Sequence, residues 1–348
     1  MKLSPLPYIL LLLFFLGACQ LPTADRRPMK ITAYESNPIL GPGEPGSWDA
    51  LGVNTPDIIF DDSIFFLFYS GSRVPGNIAI GVALSSDGYH FSKVEHNPVL
   101  APDKTGFDAY SVGASKVVKD DSIWIMYYNA LEIAGFNPGP YIGRAEAAHP
   151  TGPWIRSEMP VMTTGKKGEW DDGFVIPSSV IILENGNYLM YYLGGRDYYP
   201  LKDIYLGMAM SADGIKWRKY NDAQTKDHPF VESDPVLFNG KGDAWDNGVV
   251  WLADVKETGQ EFSMYYTGIK ANGEEFAIGF ATSPDGIHWE KYGRNPVFTA
   301  KDDPYPGGSE IGGFVENPSL VCLDSLCLMF YDYSTSDEKI GVAVGDRR

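Results

Sequence analysis

The chain has 348 residues, a formal net charge of −17, 44% hydrophobic residues and 14% aromatic residues. This charge argues against a nucleic-acid-binding protein, because such proteins present a basic face to phosphates, and the apolar content is too high for a disordered chain. With 38 Gly, 25 Pro, 21 Tyr and 18 Phe, the composition favours an all-β fold rich in turns over a helical one.

The first twenty residues have the order of an export signal. Lys2 supplies a short positive region, residues 9–16 form an apolar run too short to cross a membrane as a helix, and the letters LGAC end the segment at positions 16–19. This ending resembles the bacterial lipobox, in which the Cys receives the lipid and becomes the first residue of the mature protein. An ordinary signal peptide with a chance Cys is the alternative.

The resemblance implies a signal peptide over residues 1–18, lipidation of Cys19 and a short tether over residues 19–30. Gln20, rather than Asp, follows the Cys, so the resemblance also implies a protein anchored to the outer membrane of the cell envelope. No later apolar run is long enough for a membrane span, and we expect contact with the membrane only through the lipid.

Cys322 and Cys327 are the only other cysteines, and Asp324-Ser325 lies midway between them. If this dipeptide forms a two-residue hairpin turn, the two cysteines become a cross-strand pair at a spacing that suits a disulfide. An exported protein meets an oxidising compartment, which favours the disulfide. Two buried thiols are the alternative.

One pattern recurs five times after residue 30. It consists of an aromatic-Asp pair, an apolar run, a tight turn, a strand that ends in Tyr, a string of the form IGxAxSxDGxxW, and an Asn-Pro-Val-Leu string. The repeat tyrosines stand at intervals of roughly 60 to 75 residues: Tyr69, Tyr128, Tyr192, Tyr266 and Tyr331. The tight turns have hairpin composition: Asp62-Ser63, Asp121-Ser122, Asn185-Gly186, Gly259-Gln260 and Asp324-Ser325.

Each repeat therefore predicts four antiparallel strands, which is one blade of a β-propeller. The fifth repeat stops after its third strand near Val344, and the missing strand is found at the other end of the chain, where residues 31–40 end in an Asn-Pro-Ile-Leu string. We predict an all-β, five-bladed propeller over residues 31–348, whose ring is closed by the N-terminal strand, so that no sheet edge stays open.

Five blades with these Ser-x-Asp-Gly-x-x-Trp and Asn-Pro-Val-Leu strings resemble the five-bladed glycoside hydrolases of families 43, 32, 68, 117 and 130. The resemblance implies a pocket at one end of the central channel, where one carboxylic acid protonates the leaving oxygen and another carboxylate stays ionised. It also allows a calcium ion in the channel. The five histidines show no metal-ligand spacing, and we predict no cofactor.

The chain departs from the family-43 pattern at the expected catalytic positions. Thr55-Pro56 replaces the usual Asp-Pro pair of the first blade, with Asp57 close behind, and Glu316 precedes Asn-Pro in the fifth blade. A repeat protein builds its scaffold from residues that recur and its site from residues that deviate. On this basis we predict Asp57, Asp172 and Glu316 as the catalytic acids of the pocket.

A second set of acids recurs before each innermost strand in four blades: Trp48-Asp49, Phe107-Asp108, Trp170-Asp171 and Trp245-Asp246. Repetition favours a structural role, in which Asp fixes a loop and the aromatic packs between blades. The alternative is a pocket rim, where Asp49, Asp108, Asp171 and Asp246 bind substrate and Trp48, Trp170 and Trp245 stack on sugar rings.

Arg196 follows Gly194-Gly195 and precedes Tyr198 and Tyr199. Its guanidinium is suited to a uronate, sulfate or phosphate, and a solvated loop Arg is the alternative. Twelve residues before each repeat tyrosine stand five positions that vary: Asp57, Lys116, Val180, Asp254 and Ser319. We expect Asp57 and Lys116 to pair across the channel.

Three functions remain open at this point. The leading hypothesis is a glycoside hydrolase that acts on oligosaccharides of plant or algal polysaccharides. A glycan phosphorylase of the same fold is the second, and a surface glycan-binding lipoprotein without chemistry is the third. All three bind an oligosaccharide or polysaccharide and no nucleic acid.

Overall fold

Five antiparallel sheets contact one another in a closed ring. The computed structural model describes residues 27–134, 139–197, 202–259, 261–303, 305, 314–323, 326–333 and 338–346. Within these ranges the chain is all-β, apart from a short 3₁₀ helix at Ala300–Asp302. The predicted five-bladed propeller is therefore confirmed.

The strands follow the chain around the ring, except that the first strand, β1 (Lys30–Ala33), belongs to the last blade. Blade one contains β2 (Gly52–Asp61), β3 (Ile64–Val74), β4 (Asn77–Ser85) and β5 (Ser92–Lys93). Blade two contains β6 (Ser111–Asp120), β7 (Ile123–Leu131), β8 (Tyr141–Ala147), β9 (Ile155–Arg156) and β10 (Met162–Thr163). Blade three contains β11 (Phe174–Ile182), β12 (Tyr188–Gly195), β13 (Ile204–Ser211), β14 (Arg218–Lys219) and β15 (Pro235–Leu237). Blade four contains β16 (Val249–Thr258), β17 (Glu261–Ile269), β18 (Phe276–Ser283), β19 (Glu290–Lys291) and β20 (Phe298–Thr299). Blade five contains β1, β21 (Glu316–Leu323), β22 (Leu326–Tyr333) and β23 (Lys339–Asp346).

The second strand of each blade is rich in apolar and aromatic residues because neighbouring blades cover both of its faces. In β12 every residue is buried. The hairpins before these strands have the predicted turns: Asp61 and Ile64 pair around Asp62-Ser63, and both turn residues have positive φ values of 48° and 65°. Gln260, Asp324 and Ser325 lie outside the described residues.

The amide groups on the channel edge of each innermost strand have no partner strand, and at four of the five junctions a side chain of the preceding blade accepts a hydrogen bond from one of them. We call the five residues at this register position the channel belt: Asp57, Lys116, Ser179, Asp254 and Ser319. Four junctions have the same geometry: the Val117 N–H donates to Asp57 (2.7 Å), Val255 to Ser179 (3.0 Å), Leu320 to Asp254 (2.6 Å) and Ile58 to Ser319 (3.0 Å).

The sequence spacing predicts Val180 at the blade-three position of this belt, and that prediction is wrong. Each innermost strand carries a bulge ahead of the belt. The bulges in β2 and β11 each add one residue, since Thr55 and Pro56 oppose Tyr69 alone and Ser178 has no partner. The register differs because the hairpin loop of blade three is one residue longer: Leu183 bonds Asn187 around three residues, whereas Asp61 and Ile64 enclose two. Ser179 therefore occupies the belt.

Cys322 and Cys327 lie opposite each other on β21 and β22 and form a disulfide. Cys19, the signal segment and the tether as far as residue 26 lie outside the described residues. In the part of the chain that the structure describes, no helix is long and apolar enough to cross a membrane.

The N-terminal strand closes the ring as predicted, because β1 pairs antiparallel with β23, from Lys30 opposite Asp346 to Ala33 opposite Ala343. The buried side chain of Asn37 stabilises this closure by hydrogen bonds. Its side-chain amide donates to the Tyr331 hydroxyl (3.0 Å), the Asp303 carboxylate (3.2 Å) and the Val342 carbonyl (3.0 Å), and its oxygen accepts the Val342 N–H (2.9 Å).

Asn37→Ala should destabilise the protein by about 2–3 kcal/mol, because it leaves several buried polar groups without a partner. The measurement is the free energy of unfolding in urea, followed by Trp fluorescence. Asn272→Ala is the matched control, since Asn272 is exposed and bonds the exposed Glu274, and we expect a change within about 0.5 kcal/mol. An unchanged unfolding midpoint for Asn37→Ala would contradict this account of the closure.

Candidate active site

The four repeated aspartates lie inside the blades, and each is at most 3% exposed. Each carboxylate accepts a hydrogen bond from the repeat tyrosine of its blade: Tyr69 to Asp49 (3.3 Å), Tyr128 to Asp108 (2.9 Å), Tyr192 to Asp171 (3.2 Å) and Tyr266 to Asp246 (3.0 Å). Each also pairs with a cation from the fourth strand of its blade: Lys93, Arg156, Lys219 and Lys291. In blade five, Asp303 takes the place of these aspartates and accepts from Tyr331 (2.5 Å).

The preceding tryptophans are also part of the scaffold. Trp48 and Trp170 stack on the repeat tyrosines of their blades, and Trp245 lies tilted against Tyr266. A Cβ atom on Gly81 would lie 2.7 Å from the Trp48 ring, and Gly207 and Gly279 stand as close to Trp170 and Trp245, which explains the glycine at this position in these three blades. These contacts favour the structural role for the repeated Asp and Trp residues.

Asp172 and Arg196 hold one loop from two sides. The Asp172 carboxylate accepts the Gly168 N–H (2.6 Å), and Arg196 donates to the carbonyls of Gly168 (2.5 Å) and Glu169 (3.1 Å). Arg196 is exposed. Both side chains therefore order the approach to β11, and Tyr198 and Tyr199 lie outside the described residues.

Asp57 sits in the channel belt and not with the other predicted acids. Its carboxylate accepts the Val117 N–H and lies 3.6 Å from the Lys116 ammonium, so the expected pair is present. Burial raises the pKa of Asp57, and Lys116 opposes that rise. The structure does not bring Asp57, Asp172 and Glu316 together.

Glu316 instead meets two acids that the sequence reasoning missed. Glu316 is the first residue of β21 and pairs with Asp332 of β22. Glu338 comes from the segment before β23, and its carbonyl accepts the Val53 N–H (3.0 Å) at the junction with blade one. We call Glu316, Asp332 and Glu338 the acid cluster; it lies at the starting ends of the innermost strands.

Two amide side chains bind the acid cluster. Asn54 donates to Glu338, and Asn317 donates to Asp332 (3.0 Å). Asn317 has a positive φ of 55° within the bulge of β21, and its own N–H donates to Thr267 of blade four (2.8 Å). The bulge and the inter-blade hydrogen bond thus aim the Asn317 side chain at Asp332.

All three carboxyl groups of the acid cluster hold protons more tightly than usual. Burial and the neighbouring Glu338 raise the pKa of Glu316 to about 8. Burial and Glu316 raise the pKa of Asp332 well above its usual range, against the opposing bond from Asn317. Burial raises the pKa of Glu338, and the Asn54 hydrogen bond opposes that rise. Three carboxyls in one dry site cannot all ionise near pH 7.

The family resemblance allows a calcium ion in the channel. Among the described residues, no three His, Cys, Asp or Glu side chains are arranged to hold a metal ion.

No family model matches the chain. In sequence it is similar to a protein of Mycobacterium tuberculosis that is known only as uncharacterized, with 26% identity over 246 residues. The match covers 68% of this chain and 74% of that protein, and it holds for strains CDC 1551 and H37Rv.

In structure the chain resembles a glycosyl hydrolase from Bacteroides ovatus, with a TM-score of 0.71 and 18% identity over 93% of this chain and 95% of that one. It also resembles a member of the GH130 family of mannoside phosphorylases, which contains glycoside hydrolases that target β-1,2-mannosidic linkages in Candida mannan (TM-score 0.70, 17% identity, 93% and 98% coverage). A thermostable family-43 glycoside hydrolase gives a TM-score of 0.62 at 18% identity, with 84% and 88% coverage. The structural neighbours are thus propeller glycoside hydrolases, and likeness at this identity establishes the fold.

Glu316→Gln should change how stability depends on pH. The folded protein keeps the Glu316 proton up to about pH 8, whereas the unfolded chain releases it near the usual value of 4.5. The free energy of unfolding therefore falls through this group as the pH rises between these values. The variant should match wild type near pH 4.5 and exceed its stability above pH 8 by more than about 1 kcal/mol.

Urea titrations at several pH values test this expectation. Glu44→Gln, at an exposed loop position, is the control and should follow the wild-type profile. If Glu316→Gln tracked wild type at every pH, the raised pKa of Glu316 would be refuted.

Proposed function

We propose that this protein is a glycan-active enzyme of the propeller glycoside hydrolase type, and that the acid cluster is its catalytic centre. The observation that carries the proposal is the meeting of the buried Asp332 carboxyl with the half-buried Glu316 and Glu338 carboxyls at the channel mouth, where a protonated acid is available at neutral pH. Cleavage of a glycosidic bond needs such an acid to protonate the leaving oxygen.

The three carboxyls suit different roles. Glu316 is the general acid, because its pKa of about 8 keeps it protonated at pH 7 while it retains partial exposure to the mouth. Glu338 is the group that ionises as base or nucleophile, since the Asn54 amide stabilises its anion. Asp332 is the most buried and holds Asn317 in place, so it positions the site rather than touching the substrate.

We propose oligosaccharides of plant or algal polysaccharides as substrates and hydrolysis as the reaction. A phosphorolytic reaction is the second candidate, because burial raises the pKa of every carboxyl in the acid cluster. A phosphorylase draws its nucleophile from inorganic phosphate and does not need a second ionised carboxylate. The GH130 neighbour belongs to a family that contains both kinds of enzyme.

Defined oligosaccharides, each tested with and without inorganic phosphate, separate these functions. Product release without phosphate supports hydrolysis, and release that requires phosphate supports phosphorolysis. Binding without turnover across the panel would contradict the enzymatic proposal and identify a glycan-binding protein.

On the substrate so found, Glu316→Gln should lower kcat/KM by roughly 10²–10⁴-fold, the usual contribution of a general acid. Glu232→Gln, an exposed carboxyl paired with Lys166, is the matched control and should retain wild-type activity. A Glu316→Gln enzyme with activity within about threefold of wild type, a barrier change of only ~0.65 kcal/mol, would exclude Glu316 as the acid.

The pH profile of kcat/KM provides an independent check. Activity should fall above about pH 8 as Glu316 ionises and should fall on the acid side as Glu338 gains a proton. In Glu316→Gln the alkaline limb should disappear. An alkaline limb that persists unchanged in this variant would assign it to another group.

We further propose that Cys19 carries the lipid and that the protein is held at the outer membrane of the cell envelope. The support is the order of positive charge, apolar run and LGAC ending in the first nineteen residues. The proposed enzyme would then act on glycans outside the cytoplasm.

Cys19→Ser should yield soluble or unprocessed protein, whereas wild type should fractionate with membranes. Fractionation followed by immunoblotting measures this directly. If the variant stayed in the membrane fraction like wild type, lipidation at Cys19 would be wrong.

A further inference from the structure

One junction of the channel belt differs from the other four. Elsewhere an aspartate or serine of one blade accepts an N–H of the next blade. Between blades two and three the belt residue is Lys116, whose ammonium has three donors and no acceptor. Register places Val180 where Val117, Val255, Leu320 and Ile58 stand in the other blades.

The Val180 N–H therefore points toward the channel, as its four counterparts do. Among the described residues no side chain accepts a hydrogen bond from it, and Lys116 cannot do so. Two donors consequently face each other at a place where every other junction holds a donor and an acceptor.

The Lys116 ammonium is poorly compensated by the protein. It is 5% exposed, and its contacts are a 3.4 Å approach to the Pro56 carbonyl and a 3.6 Å approach to Asp57. Both distances exceed the usual 2.7–3.2 Å range of such hydrogen bonds. The second oxygen of Asp57 already accepts the Val117 N–H, and burial raises the pKa of Asp57, which weakens it as a counter-charge.

Lys116 and Val180 both line a cavity of about 310 Å³ at the base of the channel. This volume equals roughly ten water molecules. The other charged groups on its wall are Asp57, Lys119, Asp254 and Lys256. Asp254 pairs with Lys256 (3.1 Å) and accepts the Leu320 N–H, and Lys119 pairs with Asp61 (2.6 Å).

Lysines thus outnumber aspartates on this wall. Asp254 is paired with Lys256, and Asp57 offers Lys116 only one oxygen, at 3.6 Å, because its other oxygen accepts the Val117 N–H. A buried cation that keeps free donors requires a counter-charge. An anion that accepts from both Lys116 and Val180 would supply the acceptor that this junction lacks.

We propose that the cavity at the base of the channel binds a small inorganic anion of the chloride, sulfate or phosphate class between the Lys116 ammonium and the Val180 N–H. The anion takes the place of the belt side chain and ties blade two to blade three. This site lies at the end of the innermost strands opposite the acid cluster and does not depend on the proposed glycan chemistry.

Thermal unfolding of the purified protein tests the proposal. Chloride, sulfate or phosphate is titrated from 0 to about 20 mM at constant ionic strength against gluconate, a bulkier organic anion. At least one of the three should raise Tm saturably by about 3–6 °C, because it binds the folded state alone.

Lys116→Ser is the informative variant, because serine is the belt residue in blades three and five and can accept the Val180 N–H. Its Tm should not depend on the anions. Lys166→Ser, which removes an exposed lysine paired with Glu232, should respond as wild type does. An equal rise in wild type and Lys116→Ser, or no saturable rise in wild type, overturns the proposal.

Crystals of wild type soaked in bromide and, separately, in selenate decide the matter if Lys116→Ser does not fold. An anomalous peak within hydrogen-bond reach of Lys116 Nζ and Val180 N supports the site. No peak there with either anion overturns it.

Discussion

The free edge of the innermost strand is the constraint on which this propeller depends. Such a strand pairs with only one neighbour, so the amide groups on its other edge must find acceptors in the preceding blade. The channel belt supplies one row of acceptors. A second row follows the repeat tyrosines, where Ser70 accepts the Ala114 N–H (2.9 Å) and Thr267 accepts the Asn317 N–H (2.8 Å). Four belt residues, Asp57, Lys116, Ser179 and Asp254, also line the cavity at the base of the channel, so residues that join the blades also determine the chemistry there.

The acid cluster lies where a carboxyl group replaces the hydroxyl group in this second row. Asp332 occupies the position of Ser70 and Thr267, and the Thr55 N–H of blade one bonds to it. The Asp332 carboxyl accepts the same inter-blade hydrogen bond as those hydroxyls. It also places a titratable group in a dry junction between two blades. Glu316 and Glu338 then join it from the two neighbouring segments. Repulsion among the three, in a site of low polarity, keeps protons bound at neutral pH.

Much of the fold was predictable because it repeats. Five hairpin turns and a strand missing at one end but present at the other specify five blades and their closure without any knowledge of packing. The repeated Asp and Trp residues were open to two interpretations. Only the contacts of Asp49 with Tyr69 and Lys93 favour the structural one.

The site was less predictable, for reasons of register and topology. Glu316 stood out because it breaks the repeat. Asp332 was overlooked although it directly follows a repeat tyrosine, at a position that reads Ser70, Asn129, Leu193 and Thr267 in the other blades. Glu338 reaches the site through its link to Val53 of another blade, which spacing alone does not reveal. The hairpin loop of blade three is one residue longer than that of blade one, so the spacing from Tyr192 points to Val180 in place of Ser179.

The central claim is that Glu316 carries a proton at neutral pH at the mouth of the channel. Infrared difference spectra of wild type and Glu316→Gln, recorded from pH 5 to pH 10, test it most directly. The account predicts a protonated-carboxyl band that wild type loses with a midpoint near pH 8 and that Glu316→Gln lacks. Identical spectra of the two proteins between pH 6 and pH 10 would contradict it.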